Sequence, residues 1–230
     1  AWLSARLPVP AGSPQLSGVL VVLAFIALAA VAEWVYVVLP HGDTTEDLTF
    51  FEAAVVAGVL VLSPALALLA PIGGMLVVSI LWRRPVTKTV FNLGSYAFAT
   101  AVMVTVYLAL TDGTDRFGWR SVGALVIATA AFVLVNLLAL AAILTAAEGA
   151  RYRDVVREQW WLSATMAVGG VGIGAITVLL VVTSPALVPF MALPALALWY
   201  AYRAAAQHAR ERERNRWLVV LGAQLAAQTS

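Results

Sequence analysis

The stretch SVGALVIATAAFVLVNLLALAAILTAA, from Ser121 to Ala147, contains no Asp, Glu, Lys or Arg. A helix rises about 1.5 Å per residue and a bilayer's hydrocarbon core is about 30 Å thick, so about 20 apolar residues cross it. Three further runs, Thr89 to Thr111, Gln159 to Thr183 and Pro185 to Tyr202, are equally free of charge. Ser17 to Leu39 also qualifies, with Glu33 its one charged residue. Phe50 to Trp82 is too long for one simple span, and Ser63-Pro64 and Ala70-Pro71-Ile72-Gly73-Gly74 interrupt it. Proline removes a backbone donor and clashes with the preceding turn. This part therefore reads as two helical pieces, roughly 50–69 and 72–83, that cross once in net; a re-entrant turn is the alternative. The expected fold is all-α, a polytopic membrane helix bundle of six net crossings.

Composition agrees. Hydrophobic residues make up 62% of the 230 positions and charged ones 11%, where ordinary globular chains carry about 25% charged residues to cover a wet surface. Mean hydropathy is +0.92. This balance excludes a free soluble enzyme, a disordered regulator and a nucleic-acid-binding module. There is no cysteine, hence no disulfide or thiol chemistry. The two histidines, His41 and His208, are expected on opposite sides of the membrane and share no metal site. No Walker or H-E-x-x-H motif occurs. As it stands the chain does not read as an enzyme, and no cofactor is indicated.

The addresses of the basic residues set a direction, because Lys and Arg near span ends stay cytoplasmic. They cluster at Arg83, Arg84 and Lys88, at Arg151, Arg153 and Arg157, and from Arg203 to Arg216. Six crossings with both termini inside leave only Arg116 and Arg120 external, beside Asp112 and Asp115. The acidic loop of Asp43, Glu46 and Asp47 is then external too. Trp82, Trp160, Trp161 and Trp199 fall at inner boundaries and Trp119 at an outer one, where amphipathic rings prefer to lie. Residues 1–16 read as a cytoplasmic segment without the pattern of a cleaved signal, 17–202 as the membrane bundle and 203–230 as a cytoplasmic helix. The absence of an initial methionine and the helical character of the last residues suggest a piece of a longer protein, with an output domain beyond.

That last helix, from Ala204 through Arg216, contains neither proline nor glycine. Trp217, Leu221 and Leu225 then recur at i, i+4 and i+8, one apolar stripe on a helix. The stripe suits a parallel coiled coil joining two protomers into a homodimer; the plainer reading is an amphipathic tail on lipid.

Two signatures carry a resemblance. One is Trp82-Arg83-Arg84-Pro85-Val86-Thr87-Lys88 followed by Phe91-Asn92 and Tyr96; the other is Asn136-Leu137-Leu138, then Glu148-Gly149 and Arg157-Glu158-Gln159-Trp160. Together they resemble the N-terminal membrane module of many bacterial signalling proteins, the type that precedes GAF, GGDEF, HD-GYP, kinase or phosphatase domains. The helix pattern is also similar to that of substrate-binding subunits of vitamin transporters. The resemblance covers residues 50 to 225. It implies a sensory role in a bacterial inner membrane, with the signal leaving through the last helix.

Individual residues also have physical readings. Arg83, Arg84 and Lys88 flank a Pro85 corner and would meet anionic headgroups. Asn92 and Tyr96 share one helix face, and Asn136 lies deep in the next span. Buried amides in lipid need partners, so these three either join helices or line a cavity for a small ligand. Glu33 and Glu52 are expected near the outer layer, where they snorkel or together hold a cation or amine. Gly170 and Gly174 form a GxxxG pair that lets helix backbones approach.

Three functions therefore stand as expectations. The first is a sensory, signal-transducing module. The second is a small-molecule transporter or its substrate-binding subunit, and the third an accessory subunit of a membrane complex. The expected partners are the lipid bilayer, a second copy and a small ligand, with no nucleic acid.

Overall fold

A computed structural model of the chain describes residues 14–41, 44–111, 118–149 and 151–201, together with 203, 204, 207, 208 and 211. The architecture is a helical bundle with one small hairpin. Helix α1 (Pro14–Trp34) leads into strands β1 (Tyr36–His41) and β2 (Thr44–Thr49), which pair antiparallel from Tyr36 opposite Thr49 to His41 opposite Thr44. There follow α2 (Phe51–Val61), α3 (Pro64–Leu81), α4 (Val86–Leu110), α5 (Trp119–Glu148) and α6 (Tyr152–Thr183). A 3-10 turn at Pro185–Met191 then passes into a further apolar helix that reaches Ala201. Among the described residues four helical segments are long and apolar enough to cross a membrane: Pro64–Leu81, Val86–Leu110, Trp119–Ala147 and Ser163–Thr183.

The expected break at 70–74 is not where the chain turns. Leu62 and Ser63 are extended (ψ 165° and 156°) and separate α2 from α3. Pro64 opens α3, where its missing N–H would have had no helical partner in any case. Pro71 instead lies inside α3. The carbonyl it leaves without a donor four residues back belongs to Ala67, whose oxygen faces Gly58 of α2.

That contact also shows that α2 and α3 fold back on one another. The chain enters α2 and leaves α3 at the same end of the bundle. Phe50 N–H donates to Ala32 O at the end of α1 (3.1 Å), and the Trp82 ring after α3 lies 5.4 Å from Trp34. Residues 50–83 thus form a returning helical hairpin, not the one-way passage expected from charge. The hairpin 36–49, with the acidic positions 46 and 47, lies at the Arg83–Lys88 end and not at the opposite one.

In α2 nearly every residue from Phe51 to Leu60 is buried, Glu52 apart. A helix apolar all round belongs inside a bundle. It is held by α1, α3 and α6, and α4 and α5 close the far side. Lipid tails are as apolar as these side chains, so close packing stabilises the arrangement. The tightest approaches use glycine. A Cβ on Gly74 would stand 2.6 Å from Ala29 Cβ, and one on Gly174 would stand 2.6 Å from Ala53 O. Several hydroxyls in the helices turn back to their own backbone, as Thr129 Oγ1 does to Leu125 O at 2.8 Å and Thr177 Oγ1 to Ile173 O at 2.7 Å.

Candidate ligand-binding pocket

At the end of the bundle where α1 stops and α2 begins lies a cavity of about 220 Å³. Its walls follow from helical periodicity. Lys88, Asn92, Ser95 and Tyr96 occupy one face of α4, while Val133, Asn136 and Leu140 do so on α5. Gln159, Ser163 and Met166, at i, i+4 and i+7, present one face of α6. Glu33 from α1, Glu52 from α2, Met75 from α3, Arg84 and the Phe132 ring of α5 add to the lining.

The charged groups are ordered by a corner. Arg83 has a left-handed backbone (φ 50°), and the N–H groups of Arg83 and Arg84 return to Ile80 O and Ser79 O. Arg84 is thereby turned inward. Its Nη1 donates to Glu33 Oε1 at 2.7 Å, with both side chains nearly inaccessible (8% and 5%). The guanidinium also sits 4.9 Å over the Trp82 ring, whose edge meets Tyr36 at 4.7 Å. Arg84 is therefore not the headgroup contact expected of it, because a buried carboxylate offers a stronger partner. Arg83 and Lys88 remain at the exposed rim.

The polar wall opposite is a short network. Ser95 Oγ donates to Asn136 Oδ1 at 3.0 Å, and Asn136 also lies within hydrogen-bonding reach of the Tyr96 hydroxyl. The Tyr96 ring packs edge-on to Phe51 (4.9 Å) and 6.0 Å from Phe132. Glu52 stands in the first turn of α2. The helix dipole there is worth about 0.3–1 kcal/mol to a carboxylate, against several kcal/mol for removing an ion from water. The dipole alone leaves most of that charge uncompensated.

The five residues singled out for a ligand, Glu33, Glu52, Asn92, Tyr96 and Asn136, all line this one cavity. Glu33 and Glu52 reach it at the same end as Arg84, not at an opposite layer. Gly170 and Gly174 lie outside it, backed against Glu52, Ala53 and Val56 of α2. Trp217, Leu221 and Leu225 fall outside the described residues. Sequence reading missed Gln159, which is 2% exposed, and with it Ser163 and Met166. The available signal was an amide at the head of a charge-free run with a hydroxyl one turn on. Among the described residues no group of three or more His, Asp or Glu side chains is placed to hold a metal ion.

The chain matches no protein-family model, no curated protein and no solved structure.

Proposed function

We propose that this chain is a membrane-embedded sensory module that binds a small polar molecule and passes its occupancy, as a change in helix packing, to a cytoplasmic output. One observation carries the reading. Polar side chains from α1, α2, α4, α5 and α6 converge on a single cavity inside an otherwise apolar bundle. Polar groups in the membrane are costly, and such convergence is a functional hypothesis by default. The cavity is smaller than the ~300–1,000 Å³ typical of drug-sized ligands, so the molecule is small. Occupancy can act only through different affinity for two packings of the helices. Helix α6 forms one wall and leads into the last helix, so it is the natural carrier.

The positive-inside rule puts the pocket end, with Arg83, Lys88, Arg151, Arg153 and Arg157, at the cytoplasmic face of a bacterial inner membrane. With α2 and α3 returning to that face, this reading has five net crossings in place of six. The start of α1 is then external and the residues after the last helix are internal.

A second reading, a substrate-binding subunit of a transporter, is favoured by the α2–α3 hairpin, which returns to the end where it began and borders the cavity through Glu52 and Met75. The purified full chain in nanodiscs, titrated with a panel of small polar metabolites, tests the common core of both. We expect at least one compound to raise the unfolding temperature, and Asn136→Ala to weaken its effect at least tenfold. A panel that leaves the wild type unchanged, or an effect indifferent to Asn136→Ala and Asn92→Ala, overturns binding in this cavity. Accumulation of the bound compound inside proteoliposomes carrying this chain alone would replace the sensory reading with the transport one.

A further inference from the structure

Resting on the binding role above, the inference concerns the class of ligand. We propose that the cavity takes a small organic ammonium compound, its cationic nitrogen held by the Glu52 carboxylate beside the Tyr96 and Phe132 rings. Two carboxylates, Glu33 and Glu52, and two cations, Arg84 and Lys88, line the cavity, but they are not paired one to one. Glu33 and Arg84 are joined at 2.7 Å and answer one another. Glu52, by contrast, stands in no ion pair among the described residues. A half-buried carboxylate facing a cavity is matched best by a cation brought in from outside.

The surroundings say which cation. A divalent metal takes six or more oxygen ligands or a tight set of nitrogen and oxygen ones, and no third acidic or histidine side chain joins Glu33 and Glu52 among the described residues. An ammonium group needs fewer contacts and gains from aromatic faces. Tyr96 and Phe132 both line the cavity, with ring centroids 6.0 Å apart. The amides of Asn92 and Asn136 serve the polar remainder of the molecule, as convergent polar groups do in small-molecule sites.

The probes are primary amines of four to ten heavy atoms, each with its alcohol isostere. They are titrated against the full chain in nanodiscs by thermal unfolding and by isothermal calorimetry. We expect one or more amines to bind and their alcohol counterparts to bind at least tenfold more weakly. Glu52→Gln should abolish the preference and Glu52→Asp should restore part of it; both variants should elute as the wild type does, and Glu52→Gln should unfold no earlier than the wild type without ligand, because it removes an uncompensated buried charge. An alcohol bound as tightly as its amine, or an amine indifferent to Glu52→Gln, overturns the ammonium assignment while leaving a binding pocket in place. If no amine binds but a neutral or acidic metabolite does, lost on Asn136→Ala, the assignment again fails and the binding role stands. If neither amines nor the wider panel bind, both are overturned. A Glu52→Gln chain that misfolds is replaced by Phe132→Leu, for which loss of amine preference is expected and its retention counts against the cation–aromatic contact.

Discussion

Arg84 and Glu33 meet at 2.7 Å across 51 residues of sequence, one from the corner after α3 and the other from the last turns of α1. Both are shielded from solvent, and the pair closes one side of the pocket while pinning the exit of the α2–α3 hairpin to the end of α1. Removing one partner from a buried pair strands the other charge, at a cost of about 3–5 kcal/mol. Arg84→Ala should therefore unfold far below the wild type in detergent. Arg84→Met combined with Glu33→Leu should recover most of the loss. A double variant no better than the worse single one would mean that the two side chains do not depend on each other.

The returning hairpin makes a prediction about accessibility. The chain contains no cysteine, so single cysteines can be introduced without background. Thr45→Cys and Arg83→Cys should react with a membrane-impermeant maleimide from one side only, and from the same side. Ser184→Cys, at the far end of α6, should react from the other. Labelling of positions 45 and 83 from opposite faces would restore the one-way passage of residues 50–83.

Two sets of glycines should respond in opposite ways. Gly74→Ala and Gly174→Ala place a methyl group 2.6 Å from fixed atoms of a neighbouring helix, and overpacking of this kind costs about 1–3 kcal/mol. Gly94 and Gly172 have open space where a Cβ would be. There alanine should be neutral or stabilise by up to about 1 kcal/mol through its helix propensity. Unfolding midpoints of the four variants separate the classes.

The Ser95–Asn136 bond joins α4 to α5 within the lipid layer. Interhelical hydrogen bonds in membranes average about 0.6 kcal/mol and reach about 1.7 kcal/mol. Ser95→Ala should cost that much and no more, whereas Asn136→Leu should cost more because it also removes the partner near Tyr96. A double-mutant cycle between positions 95 and 136 measures the coupling.

Arg83 holds a left-handed conformation without being glycine, which costs about 1–2 kcal/mol. Arg83→Gly should raise the unfolding temperature while leaving the Arg84–Glu33 pair intact. A fall would mean that the exposed guanidinium contributes more at the surface than its backbone costs.

Much of the architecture was legible in the apolar runs. The long charge-free stretches are helices α4, α5 and α6, and the pocket's polar residues stand out against them because an amide in lipid needs a reason. Asn92, Tyr96 and Asn136 were visible for that cause alone. The hairpin was not. Charge addresses constrain which face a loop occupies, but Glu33 and the acidic positions after it looked external only while Arg84 was assumed to face headgroups. That long-range pair reverses the assignment, and no local pattern announces it. Ser63-Pro64 stands out as an interruption, but the expected boundary between the two pieces lies at Pro71 instead. A proline in mid-helix usually signals a break, yet its freed carbonyl here lies against the bare backbone of Gly58. Gln159 escaped notice because its neighbours Arg157, Glu158 and Trp160 read as an interfacial collar.

The short length of α2 bears on how the protein comes into being. Eleven residues span only about 16 Å at 1.5 Å each, so the insertion machinery has no complete crossing to release until α3 has emerged. The pair must leave it together. Even then one flank of α2, with Glu52 at its head, stays bare until α6 is synthesised some hundred residues later and Gly170 and Gly174 close upon it. During that interval the Glu52 flank of α2 lacks the cover that α6 gives it in the finished bundle.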